Sequence, residues 1–395
     1  MAWRRLEDLP VRPGSRVLVR VDYNVPLQDG RVTDDTRIRA TKPTLDELTA
    51  RGARVILMSH LGRPKGQVRP ELSLAPVARH AATVLGRPVA FAPAVTGPEA
   101  AAMVAALRPG DIGLLENLRF DPGEEANDGH FADALASLGD LYVNDAFGTA
   151  HRAHASTVGV PERLPGAAGR LMERELWALT EILGRPERPY WAVLGGAKVS
   201  DKIRLVRRLL EQVDGLVVGG GMANTFLAAQ GHDLGRSRVE VDVLDEARAL
   251  LREAAERGVP LELPVDVVVA SAFAADAPAR ETTPDAVGAE EWVLDVGPRT
   301  VTRIRERLAE ARTVFWNGPL GVFEWERFAA GTRAVARLVA DLPARVVVGG
   351  GDSAAAVEQA GVADRLTHVS TGGGAALEYL EGATLPGVAA LEVRP

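Results

Sequence analysis

SRVLVRVDYNV (Ser15–Val25), TKPTLDELTARG (Thr41–Gly52) and ARVILMSH (Ala53–His60) come in that order near the head of the chain. The first and third are short runs rich in β-branched residues, apolar on successive positions. The middle one spaces Leu45 and Leu48 as one face of a helix does. Parallel strands buried on both faces read as continuous apolar runs, and strand, helix, strand in succession is the unit of a parallel sheet. The alternation returns beyond residue 188 in YWAVLGG, DGLVVGGG, VDVVVA, RTVFWNGP and ARVVVGGG. The chain therefore reads as two α/β halves with parallel sheets.

A length of 395 residues, 46% of them hydrophobic, agrees with this, because single cores stop growing at about 250 to 300 residues. Between the halves, GRLMERELWALTEIL sets Met172, Leu176, Leu179 and Leu183 on one stripe, which predicts an amphipathic interdomain helix over 171–184. The GRPERP that follows ends it. The expected domains are thus 1–170 and 185–375. A net charge of -7, with 46 basic and 53 acidic residues well mixed, argues against nucleic acid as a partner. The absence of cysteine excludes disulfides, thiolate metal sites and a cysteine nucleophile. MAWRRLEDLPVRPG has no apolar core of the signal-peptide kind, which predicts a cytoplasmic protein. The uncharged stretch from Gly215 to Gly231 holds three consecutive glycines, Asn224, Thr225 and Gln230. It reads as a buried strand and its following loop rather than a membrane span.

The chemistry differs between the halves. In the second, glycine triplets follow strand-like runs at Gly219, Gly220 and Gly221, at Gly349, Gly350 and Gly351, and at Gly372, Gly373 and Gly374. A glycine-rich turn opening a helix offers unpaired N–H groups and the positive end of the helix dipole, which suits phosphate. Each triplet alone is equally well explained by tight packing of strand on helix. Three together favour a nucleotide at the carboxyl ends of the strands. VLGGAKVSDK (Val193–Lys202) lacks the spacing of a P-loop, and no triplet spells the dinucleotide fingerprint. A helix starting near Ala197 would set Lys198 and Lys202 on one face, where they repel unless a polyanion binds between them.

In the first half, single polar or cationic residues stand at strand ends: Arg20, Asp22, Asn24, Arg37, Arg39, His60, Arg63, Arg119, His151, Arg152 and His154. One such residue is usually solvated or ion-paired. Collected on one edge, their arginine forks fit a small, doubly anionic ligand.

VRVDYNVPL, DDTRIRA, MSHLGRP, LLENLRF, NDAFGTAHRAHAS, VLGGAKVSDK, GGGMANTFL, WNGPLGVFE and GGGDSAAA, taken in order, resemble the phosphoglycerate kinase family over essentially the whole chain. The resemblance implies two Rossmann-like three-layer α/β/α domains, a C-terminal tail of about 376–395 packing back on the first, and a monomer that closes about its hinge. It also implies the reaction: reversible, Mg²⁺-dependent phosphoryl transfer between 1,3-bisphosphoglycerate and ADP, giving 3-phosphoglycerate and ATP. By similarity, Asp22, Tyr23, Asn24, Arg37, His60, Leu61, Gly62, Arg63, Arg119 and Arg152 hold the phosphoglycerate. Lys202, Gly219 to Gly221, Asn317, Glu324 and Gly350 to Ser353 hold the nucleotide, with Glu324 on the ribose and Asp352 near the metal. Gly372 to Gly374 lie near the transferred group. The family often has glycine where Val293 stands, over the base, and threonine where Ser353 stands.

The implied chemistry explains the bias towards cations. A carboxylate is already ionised at neutral pH, so no general base is required, and the barrier lies in aligning anions and stabilising the transferred group. Arg37 and Lys198, one from each half, are the expected catalytic side chains. One rival is a hydrolase, since GDSAA (Gly351–Ala355) nearly spells a nucleophile elbow, with Asp364 and His368 downstream. The other is a non-catalytic nucleotide-binding scaffold, which the presence of Arg37, Lys198, Lys202 and Asp352 disfavours.

Overall fold

The structure, a computed structural model, describes residues 3–392. Its contacts divide the chain into two compact units: one runs up to Trp177 and resumes at Ala383, and the other is Ala178–Gly382.

The first unit is built on a six-stranded parallel sheet in the order Val89–Phe91, Ile112–Leu114, Arg54–Met58, Arg16–Val21, Leu141–Asp145, Gly166–Ala168. The three opening runs supply its centre, as strand Arg16–Val21, helix Lys42–Ala50 and strand Arg54–Met58. Arg16 pairs with Arg54 and Arg20 with both Met58 and Asn144, so three strands end level on one edge. Val17, Val19, Val55, Leu57 and Val143 share one core with Leu45 and Leu48 of the helix. Truncating such a buried leucine to alanine costs about 2–5 kcal/mol. Beyond Ala383 the chain packs on this unit, with Gly387 N–H donating to Ala150 O at 2.8 Å.

The helix expected between the halves is Arg170–Gly184. Its stripe of Met172, Leu176 and Leu179 is buried, together with Leu171 and Ile182. Asp145, at the end of its strand, caps it by accepting from Leu171 N–H at 2.9 Å and Met172 N–H at 3.2 Å.

The second unit carries its own six-stranded parallel sheet, in the order Leu261–Glu262, Gly215–Val218, Tyr190–Leu194, Thr313–Asn317, Arg345–Gly349, His368–Val369. Two readings of the sequence are corrected here. VDVVVA does not join this sheet: Val267–Ala270 is the centre of a separate antiparallel sheet, between Ala279–Thr282 and Trp292–Val296. Both neighbours run antiparallel to it, and no helix covers the eight residues between Ala270 and Ala279. The segment after Gly215–Val218 is the helix Gly220–Ala229 rather than a loop, fixed by burial of Met222, Phe226 and Leu227. Among the described residues no helix is long and apolar enough to cross a membrane.

Candidate active site

In the first unit the carboxyl ends of three adjacent strands gather most of the expected anion ligands. Arg20 is fully buried, donating from Nε to Ser156 Oγ at 2.8 Å and from a terminal nitrogen to His60 Nδ1 at 3.2 Å. Because arginine can only donate, Nδ1 accepts, and the proton of neutral His60 stays on Nε2. Ser156 Oγ passes the contact on to Glu124 Oε1 at 2.6 Å, deep in the unit. Burial raises the Glu124 pKa, and the Arg20 charge opposes that rise.

Asp22 accepts from Arg37 at 2.8 Å, and Asn24 Oδ1 accepts from Gly62 N–H at 2.9 Å. Arg119 donates to Gly62 O at 2.9 Å, and Asn117 fixes its turn by accepting from Leu61 N–H and Arg119 N–H. Arg63 and Arg152 are exposed. The side chains of Tyr23 and Leu61 are buried, Tyr23 Oη lying 2.9 Å from Thr41 Oγ1, so only their backbone is available to a ligand. Arg39 turns away to pair with Asp35.

The electrostatics of this edge are those of an anion site. His60 is held well below its ordinary pKa, first by burial and then by Arg20, Arg119 and Arg37. His154 falls to about 4 through burial, followed by Arg119, Arg20 and Arg152. Both histidines are therefore neutral, chiefly because they are buried and further because cations surround them.

In the second unit the expected helix carrying both lysines is absent. Residues 197–202 form turns, and the helix is Ile203–Leu210, with Lys202 as its N-cap. The Glu240 carboxylate causes this, accepting from Val199 N–H at 2.5 Å, Ser200 N–H at 3.1 Å and Ser200 Oγ at 2.5 Å. Lys198 is thereby left exposed, while Lys202 folds inward. Its Nζ donates to Gly195 O at 2.6 Å and Asn317 O at 3.4 Å, across the ends of two strands. Burial lowers the Lys202 pKa to about 8, with Asp352 and Asp201 opposing the fall.

Each triplet lies between a strand end and a helix start. Gly220 has φ +64°, and a Cβ there would lie 2.9 Å from Gly196 O, so the loop and the helix head close on each other only with glycine. Gly350 has φ +95°, and its Cβ would meet Asn317 Nδ2 at 2.6 Å. Asn317 is buried and donates to Gly349 O at 2.6 Å. Gly372 to Gly374 open a short helix, Gly374–Leu380.

Ser353 is buried and accepts from Gly318 N–H at 2.6 Å, a structural clamp rather than a presented nucleophile, which removes the support for a hydrolase. Asp352, one residue earlier, is exposed at the head of helix Gly351–Gln359 and forms no ion pair or hydrogen bond among the described residues. No group of three or more histidine or acidic side chains is placed to hold a metal among those residues. An unpaired carboxylate at a helix head is an oxygen donor of the kind a hard cation takes.

A pocket of about 390 Å³ runs through this unit. Ala197, Gly221 and Asp352 line it, as do Val293, Val322 and Glu324. Val293 stands in the wall as a β-branched side chain, its N–H held by Ser237 Oγ at 2.8 Å. Sequence reasoning missed the aromatic wall, where Phe273 stands 5.4 Å from Trp292 and 4.7 Å from Trp325. It also missed Glu240 and Glu124, which act on residues distant along the chain.

A phosphoglycerate kinase family model matches residues 6–383. The chain belongs to the phosphoglycerate kinase family. It is 58% identical to the phosphoglycerate kinase of Moorella thermoacetica and 57% identical to that of Thermomicrobium roseum, covering 98–99% of this chain and 99% of each relative. Solved phosphoglycerate kinases agree in fold. That of Coxiella burnetii gives a TM-score of 0.88 at 44% identity over 99% of both chains, and that of Pyrococcus horikoshii 0.87 at 34% over 98% of both. The reaction is accordingly that of a glycolytic phosphotransferase, between 1,3-bisphosphoglycerate and ADP on one side and 3-phosphoglycerate and ATP on the other.

Proposed function

We propose that the two units of this phosphoglycerate kinase divide the reaction between them, the first binding phosphoglycerate and the second nucleotide. The observation that carries the proposal is the gathering of Arg20, Arg37, Arg119 and Arg152 around His60 and His154, whose pKa values burial lowers first and these cations lower further. Arg63, Arg119 and Arg152 bind the non-transferred phosphate, and Asp22, through its pair with Arg37, orients that guanidinium towards the carboxyl end. In the second unit Lys202 contacts the nucleotide phosphates and the backbone of Gly350 to Ser353 supplies N–H donors. Glu324 accepts from the ribose, and the glycines of 219–221 form a wall beside the base. Asp352 would hold Mg²⁺, which neutralises phosphate charge when bound with the nucleotide.

The chemical step then needs no proton acceptor. The carboxylate oxygen of 3-phosphoglycerate attacks the terminal phosphorus of ATP, the bond to the bridging oxygen breaks, and ADP leaves with that electron pair. Arg37 and Lys198 stabilise charge on the group in transfer. Since each ligand has its own unit, transfer requires closure that brings the ligands together and keeps water from the acyl phosphate. The hinge is assigned to the interdomain helix 171–184. A monomer is the state that resemblance to the family favours. The cysteine-free composition suits a cytoplasmic enzyme.

Calorimetric titration tests the division. Arg152→Ala is expected to weaken 3-phosphoglycerate and leave ADP unchanged, and Lys202→Ala to do the reverse. Weakening of ADP alone by Arg152→Ala would refute it.

A further inference from the structure

The nucleotide pocket contains one basic side chain among its described lining residues, Arg238, and the reaction chemistry above does not use it. Arg238 is exposed to the pocket and forms no ion pair or side-chain hydrogen bond among the described residues, although most arginines of this unit are paired. Its backbone is fixed. Ser237 Oγ accepts from Val293 N–H at 2.8 Å, and Arg236 N–H donates to Glu291 O at 2.8 Å, so this segment runs beside the strand Trp292–Val296. That strand presents Trp292 and Val293 to the pocket, beside Phe273. Arg238 therefore stands at the aromatic end, where a flat ring packs, whereas Lys202 and Asp352 stand with the glycine loops.

The other polar side chains of the pocket do not compete for a base edge of fixed sign. Both Asp295 oxygens are engaged, by Val296 N–H at 2.9 Å and Gly331 N–H at 2.8 Å. Asn224 offers both a donor and an acceptor and suits either purine. Glu324 and Asp352 are assigned to ribose and metal. A guanidinium only donates. Guanine presents two acceptors, N7 and O6, to such a fork, whereas adenine presents N7 beside an amino donor.

We infer that Arg238 reads the purine edge in this pocket and turns the enzyme towards guanine nucleotides. The inference rests on the nucleotide reading of the pocket. A bidentate arginine contact to guanine discriminates by about tenfold or more.

The test is steady-state phosphorylation of 3-phosphoglycerate by the full chain with GTP and with ATP, comparing wild type, Arg238→Leu and Arg238→Gln. Photolabelling with 8-azido-ATP, mapped by mass spectrometry, accompanies it. Arg238→Leu is expected to lower the ratio of kcat/KM for GTP to that for ATP by about tenfold, and Arg238→Gln, whose amide matches adenine N6 and N7, to lower it at least as far. Labelling of pocket-lining peptides with an unchanged ratio, or with equal losses for both nucleotides, overturns the inference alone. Labelling confined to peptides outside the pocket overturns the nucleotide reading and the inference with it.

Discussion

Lys202 gives nucleotide affinity a pH dependence whose sign and size follow from its burial. In the free protein burial takes its ammonium from water and lowers its pKa to about 8, although two carbonyls accept from it. Bound phosphates supply the missing counter-charge and should restore at least the ordinary lysine value of about 10.5. The charged form binds phosphate, so affinity is full at pH 7 and falls as pH rises through the free-state pKa. The charged fraction of free protein drops from about nine-tenths at pH 7 to about one-tenth at pH 9, so Kd should rise about tenfold. The full coupling is about 3 kcal/mol. Phosphate ionisation does not mask the effect, because its last proton leaves near pH 6. Calorimetry of ADP binding at pH 7, 8 and 9, in two buffers of different ionisation enthalpy, should show close to one proton taken up at pH 9. Lys202→Gln should bind more weakly at pH 7 and lose the slope. A flat Kd in the wild type, or an unchanged slope in Lys202→Gln, would refute the reasoning.

Glu240 holds the turn that carries Lys198, so Glu240→Ala should lower kcat about tenfold while leaving KM for 3-phosphoglycerate unchanged, with partial recovery in Glu240→Gln, as steady-state kinetics would show. Asp145 and Asp295 are both raised to about 7 by burial. Between about pH 4 and 7 the folded protein keeps a proton on each that the unfolded chain has lost, so their contribution to stability declines as pH rises through that window. His60 and His154 act in the opposite sense, since the unfolded chain protonates them first. The readout is therefore a difference: denaturant unfolding of Asp145→Asn should gain on wild type from pH 4 to 7, by up to about 4 kcal/mol. A constant difference would count against a protonated Asp145.

The sequence made the parallel sheets legible because buried strands have to be apolar on both faces, as Val17 to Val19 and Val55 to Met58 are. The cations of the first unit were legible as a set for a related reason: strands that end level deliver whatever follows them to one edge, and Arg20, His60 and Arg119 follow three strand-like runs. The loop at Lys198 was misread because its N–H groups are satisfied by Glu240, 41 residues beyond Val199, and no local pattern records that. The Arg20, Ser156 and Glu124 chain was hidden likewise, with 136 residues separating the first pair. The antiparallel sheet escaped notice because VDVVVA has the composition of a parallel strand and its partners Ala279–Thr282 and Trp292–Val296 lie further along the chain. Phe273 and Trp325 belong to different segments, and their meeting at 4.7 Å leaves no mark on either.

Arg37 and Lys198 bear most directly on the account, since each unit is held to contribute one cation to the group in transfer. A coupled assay of ATP-dependent 3-phosphoglycerate phosphorylation should show kcat falling by about a hundredfold or more in Arg37→Ala and in Lys198→Ala, as loss of a transition-state charge contact requires. KM should change little in either. Full activity in both variants would contradict the assignment.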